Sequence, residues 1–229
     1  MECALGLAGA GLDGLGELND MAVETIDLES VDRVLATARS VRRKLDFERE
    51  VPRAVILECI DIATQAPTGL GGESWRFVVA MDPAKKQAVA RIYGQVLEEL
   101  AQARGVTIKP TQQALVARLH EIPAMILVCT TAEGPSEEIA GQVAYYGSIL
   151  PAAWSLMLAL RARDLGATWT TLLSSRQAEV AEIFGIPEQV VNTVMLPVGY
   201  TKGAVLKKAE RLAAEHVTFW DGWDSRDGD

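Results

Sequence analysis

EEIAGQVAYYGSILPAAWSLMLALRARDL, residues 137–165, is the stretch on which the fold turns. Its apolar side chains do not fall on one stripe. Val143, Ala144, Tyr145, Tyr146, Ile149, Leu150, Leu156, Leu158 and Ala159 run right round the helical wheel. A helix that is apolar all round needs cover on every side, so this segment is read as the buried central helix. Downstream of it, residues 167–173 and 190–198 read as strands, with a helix at 176–184 between them. Upstream, 123–130 is a continuous apolar run of strand length, and 75–81 is another candidate strand. Helices are expected at 28–38, capped by Asp27, and at 52–65, with Pro52 in the first turn. Two more are expected at 83–104, opened by Pro83, and at 111–120. With no internal repeat and no linker, residues 21–229 form one α+β domain. Residues 1–20, rich in Gly, Ala and Leu and without a basic start, are expected to be a disordered extension.

Composition narrows the function. Of 229 residues 49% are hydrophobic and 23% charged, the balance of a folded domain, and the net charge is -9. So acidic a surface repels phosphate backbones and anionic lipid, which argues against nucleic acid or a membrane as partner. No apolar run is expected to reach the roughly 18 residues that span a bilayer. Three cysteines, Cys3, Cys59 and Cys129, give neither paired spacing nor a metal knuckle, and a reducing cytoplasm suits them.

Several motif-like features carry little. Gly9-Ala10-Gly11-Leu12-Asp13-Gly14 matches GxGxxG, but no strand precedes it to make a dinucleotide site. His120 and His216 stand apart with no second ligand at metal spacing, so no metal site is expected. Gly147-Ser148 fails the GxSxG frame at Leu150, and two histidines leave little for nucleophilic hydrolysis.

Three features point to chemistry. Residues 39–44 place Arg39, Arg42, Arg43 and Lys44 beside Ser40, four cations and a hydroxyl in six residues. Such a cluster can grip a phosphate through paired guanidinium bonds, or be a solvated basic turn. The loop 66–74, with Pro67, Thr68, Gly69, Gly71 and Glu73, runs straight into Trp75. Its glycines would let backbone groups approach a flat ring edge, or it is a plain helix–strand connection. Gly199-Tyr200 ends a strand, and Lys207, Lys208 and Arg211 follow, able to close on the same phosphate or simply to be surface charge. Trp220 and Trp223 near the end suggest that the tail docks on something, such as a partner subunit.

In their order and spacing these motifs resemble the nitroreductase-like flavoprotein family over about residues 28–223. The matches are the R-S-x-R entry at Arg39, the A-P-T-G loop leading to Trp75, and Tyr146-Gly147-Ser148-Ile149-Leu150-Pro151 in the long helix. They continue with Leu165-Gly166-Ala167-Thr168-Trp169-Thr170-Thr171-Leu172, Gly185-Ile186-Pro187 and Pro197-Val198-Gly199-Tyr200. The resemblance implies a central, mixed but mainly antiparallel sheet flanked by helices on both faces, and an interlocked homodimer binding FMN at its interface. By position, Arg39, Ser40, Arg42, Lys207 and Arg211 would hold the FMN phosphate. Pro67, Thr68, Gly69 and Gly71 would lie along the flavin and ribityl chain, and Ser148, Ile149 and Leu150 would come from the other subunit. The backbone of Thr170, Thr171 and Leu172 would face the flavin N5 edge. The implied activity is a ping-pong transfer of hydride from NAD(P)H, through the flavin, to a nitroaromatic, quinone or similar small acceptor. No catalytic side chain is required, because the cofactor carries the chemistry. Departures from the family pattern are Ala38, where a second arginine is common, and Gly71 and Glu73, where the loop commonly reads N-x-Q. The lost asparagine would ordinarily contact the flavin, and Glu73 stands either as a substrate contact or as a solvated charge. The departures leave two alternatives, a flavin-binding store or sensor without turnover, and a specialised member acting on a biosynthetic substrate or on the flavin itself.

Overall fold

Every residue of Ala124–Thr130 (β2) is buried, as a strand covered on both faces must be. In the computed structural model, which describes residues 26–69 and 72–223, β2 lies inside a four-stranded sheet. Trp75–Ala80 (β1) flanks it on one side and Val191–Tyr200 (β4) on the other, with Leu165–Ala167 (β3) beyond, in the order β1-β2-β4-β3. All three pairings are antiparallel. Among the described residues the one parallel contact is an isolated bridge between Ser40 and Ala167, the least that the expected mixed sheet could show. The expectations for residues 1–20, for the Gly9–Gly14 pattern, for Cys3 and for Gly71 fall outside the described residues.

Alternation along the strands divides the core in two. Ile126, Val128, Val194 and Leu196 face Arg53–Ala63 (α2) and Ile139–Ala162 (α5). Met125, Leu127, Cys129 and Met195 face Pro83–Arg104 (α3), Pro110–Arg118 (α4) and Gln177–Phe184 (α6). The helix boundaries have local causes. Asp27 caps Leu28–Thr37 (α1) by accepting the Ser30 N–H. Asp82 does the same for α3 through Lys85, and Gly105 ends α3 in the left-handed conformation that glycine adopts most readily.

Two expectations are corrected. The segment 167–173 is not a strand throughout. Only Leu165–Ala167 pairs regularly with β4, Thr170 touches Met195 as an isolated bridge, and Leu172–Arg176 turns into a 3-10 helix. The β-branched residues Thr168 and Thr170 mimic a strand, but the Thr168 hydroxyl is spent on the Val41 carbonyl. Helix α5 is likewise only half covered. Ile149, Leu156 and Leu160 are sealed against the sheet and α2, whereas Ile139, Val143 and Trp154 are 79%, 66% and 40% exposed. The chain supplies packing for one side of this helix and leaves the other bare. By length and composition α5 could cross a membrane, contrary to the expectation that no run would reach that length, yet its inner face packs on β2, β4 and α2.

Candidate functional site

After α1 the chain runs alongside β3 and is pinned there. The Val41 N–H donates to the Ala167 carbonyl (2.9 Å), the Thr168 hydroxyl donates to the Val41 carbonyl (2.7 Å), and the Trp169 N–H donates to Ser40 Oγ (3.0 Å). Val41 and Leu45 therefore enter the core. The far wall comes from the segment after β4, tied in by the Lys202 N–H to the Lys44 carbonyl (2.8 Å). Between residues 39–44 and 203–206 lies a cleft of about 320 Å³, closed on a third side by Thr111 at the start of α4. Arg39 crosses it to donate to the backbone carbonyl of Lys207. Its Nε is buried and has no partner.

Most cations among the described residues lack a carboxylate partner, and what marks this cleft is that four of them lie together in it. Arg118, Arg161, Arg163, Arg176 and Lys202 all have a carboxylate in salt-bridge reach. Among the described residues Arg39, Arg42, Arg43 and Lys44 have none, although the chain carries 31 acidic residues against 22 basic. Cations left unneutralised around a concave surface set up a field that favours a compact dianion such as a phosphate monoester.

Ser40 also belongs to a second concavity of about 640 Å³ on the outer face of α5. Its walls are almost wholly apolar and include Tyr146, Gly147, Leu150, Pro151, Trp154 and Trp169. Ser40 thus stands in the wall of both a cationic cleft and an aromatic bay, a pairing that suits a phosphate-bearing planar ring.

The other expected residues are distributed as follows. Pro67, Thr68 and Gly69 are exposed and line neither concavity. Their loop is anchored on α5, where Ser148 Oγ accepts the Gly69 N–H (2.8 Å) and donates to the Ala144 carbonyl (2.7 Å). Trp75 Nε1 donates to the Ser148 carbonyl (2.7 Å). Ile149 is a correction, because its side chain is sealed in its own chain's core and cannot be offered across a subunit boundary. The amide of Thr170 is another, since it donates to the Met195 carbonyl (3.2 Å). The Leu172 N–H lies 3.4 Å from Thr170 Oγ1, while Thr171 is exposed. Lys207 reaches the cleft through its carbonyl, and the Arg211 guanidinium donates to the neighbouring Glu210 carbonyl (3.0 Å). Glu73 is exposed, and its carbonyl accepts a bond from Arg76.

Two residues were not anticipated. Thr111 looked like an ordinary helix start. Tyr93 is buried on α3 at a position that reads as core, with its phenol near the Thr170 side chain. Burial raises its phenol pKa, with Thr170 and Arg42 acting in the opposite direction. The buried Cys129 thiol is pushed up to about 12 by desolvation, which keeps it unreactive.

The sequence profile of the Nitroreductase family matches residues 35–200, and the chain belongs to that family. An NADH dehydrogenase of Thermus thermophilus is 27% identical over 194 residues, spanning 80% of this chain and 91% of that protein. The iodotyrosine deiodinase of Drosophila melanogaster is 32% identical over 160 residues, spanning 65% of this chain and 55% of that one. The fold is shared with a crystal structure of oxidised iodotyrosine deiodinase bound to FMN and 3-iodo-L-tyrosine. The TM-score is 0.61 at 21% identity, covering 79% of this chain and 95% of the other.

Proposed function

We propose that this chain is an FMN-dependent NAD(P)H oxidoreductase, working as a homodimer on a small aromatic electron acceptor. The observation that carries the reading is the cleft of unpaired cations beside the aromatic bay, with Ser40 in the wall of both. Arg39, through its partnerless Nε, and Arg42 would hold the phosphate, with the Ser40 hydroxyl still free to donate. Thr111 would close the cleft. Leu150 and Trp169 would bound the ring, and Thr171 is the exposed member of the turn beside it. FMN bound there supplies hydride relay between a reduced nicotinamide and the acceptor; the protein positions the ring and excludes water.

Bare apolar surface supports the homodimer. Ile139, Val143 and Trp154 of α5 and Leu28, Val31 and Leu35 of α1, two helices in contact, are all substantially exposed, and so much uncovered apolar surface favours an interface there. The C-terminal Trp223, 81% exposed, would dock on the same partner. Twin visible absorption bands in the purified protein, bleached anaerobically by NADH or NADPH, are the expected result. A protein that neither retains nor rebinds FMN refutes the reading; one that binds FMN but is reduced by neither nucleotide is a flavin store or a specialised member with another reductant.

Similarity to the Drosophila deiodinase favours a second reading, reductive dehalogenation of a halogenated tyrosine. The bay walls carry no charged side chain to pair with an amino acid's ammonium or carboxylate, so quinones and nitroaromatics are expected to turn over ahead of 3-iodotyrosine.

A further inference from the structure

Helix α5 continues unbroken through Pro151. Proline has no N–H, so the carbonyl four residues earlier, that of Gly147, loses the donor it would have in a regular helix, and the ring pushes that carbonyl away from the axis. Gly147 and Pro151 both line the aromatic bay, so the freed acceptor lies on the bay side of the helix. Nothing stands within 4 Å of where a Gly147 side chain would begin, so this face of the helix is open at Gly147. The bay is otherwise almost wholly apolar. Gly147 is exposed in the empty bay, and a ligand that fills the bay takes its carbonyl out of water, so a ligand with a donor at that point is favoured over one without.

We infer that the Gly147 carbonyl, released by Pro151, accepts a hydrogen bond from the imide N–H of the ring system that fills the bay. The inference rests on the flavin reading. In an oxidised flavin the imide is the ring's only N–H donor, so the carbonyl selects both the ring and its orientation. Pro151 is thus a positioning residue that acts through Gly147. The arrangement trades helix stability for a ligand contact, which gives the test an unusual sign.

In Pro151→Ala the restored N–H recaptures the carbonyl. Thermal unfolding should move to higher temperature, while the FMN dissociation constant, read by quenching of flavin fluorescence, rises about three- to tenfold. FMN methylated at the imide nitrogen should bind the wild-type protein worse than FMN by a similar factor, and Pro151→Ala should bind the two alike. A variant that keeps wild-type affinity and discrimination overturns the inference, as does a wild-type protein indifferent to methylation. A changed monomer–dimer equilibrium with unchanged FMN affinity overturns it too, assigning the carbonyl to the subunit seam. Should the variant fail to fold, the wild-type comparison of the two flavins decides alone. If the wild-type protein binds neither flavin, it is the flavin reading itself that fails.

Discussion

Replacing Arg39 with alanine removes three things at once: a positive charge in the cleft, a bond to the Lys207 carbonyl and a buried Nε with no protein partner. The second loss bears on stability. Arg39 is only half-buried, so losing one bond to a backbone carbonyl should cost about 1 kcal/mol. The first and third bear on binding. A hydrogen bond to a charged group contributes about 1.5–3 kcal/mol, which corresponds to a roughly 10- to 150-fold rise in the FMN dissociation constant. Titration of apoprotein into FMN at fixed salt, following flavin fluorescence, measures it directly. Riboflavin, which lacks the phosphate, should bind wild type and Arg39→Ala equally. The comparison separates phosphate recognition from a general loosening of the site. An Arg39→Ala protein that is folded and binds FMN as tightly as wild type would refute the phosphate assignment. So would an equal loss for FMN and riboflavin, which would make Arg39 a structural strut.

Other consequences are equally open to measurement. A Cβ added at Gly69 would sit 2.8 Å from Ser148 Oγ, so Gly69→Ala should lower stability by about 1–3 kcal/mol in denaturant titration. Adding Ser148→Ala should relieve the clash; a Gly69→Ala protein as stable as wild type would show that the loop does not pack as described. Trp154→Glu places a charge on the bare face of α5 and should shift light-scattering mass from dimer to monomer, and an unchanged mass would remove that face from the interface. Asp46 accepts the backbone N–H groups of Glu48 (3.0 Å) and Arg49 (3.3 Å) and lies 3.8 Å from Lys202 Nζ. The Glu48 amide bond and the nearby Lys202 hold its carboxyl below the usual 3.8. A depressed folded-state pKa stabilises the protein above pH 3.8, and that stability is lost as pH falls through the lower folded value. Asp46→Asn should therefore flatten this acid limb of the unfolding profile, and an identical limb in both proteins would contradict it.

Much of the architecture is legible in local signals. Pro83 and Gly105 bracket α3, and the unbroken apolar run of Ala124–Thr130 announces a central strand. The basic cluster at Arg39–Lys44 is visible because it contrasts with an acidic chain. What escapes is whatever depends on distant partners. Thr168, Trp169 and Thr170 have strand-like residue types, yet Val41, Ser40 and Met195, all far away in sequence, set their conformation. Ile149 sits in a motif that contacts ligand by resemblance, but helical phase turns it inward, while Leu150 one position on faces the bay. Tyr93 shares the spacing of ordinary core residues, and only the packing of α3 against the Leu172–Arg176 turn shows its phenol at Thr170. The all-round apolar character of α5 was read as burial within one chain; half of that apolar surface faces outward.

The bond from Arg39 to the Lys207 carbonyl joins positions 168 apart in sequence. During synthesis the sheet and both cores can assemble once β4 has left the ribosome, but the anion cradle has only one wall until residues 203–207 emerge as well. A chain cut just after Tyr200 would keep its four strands and still be unable to retain a phosphate-bearing ligand. On the proposed reading, cofactor binding would therefore have to wait until residues 203–207 are in place against residues 39–44.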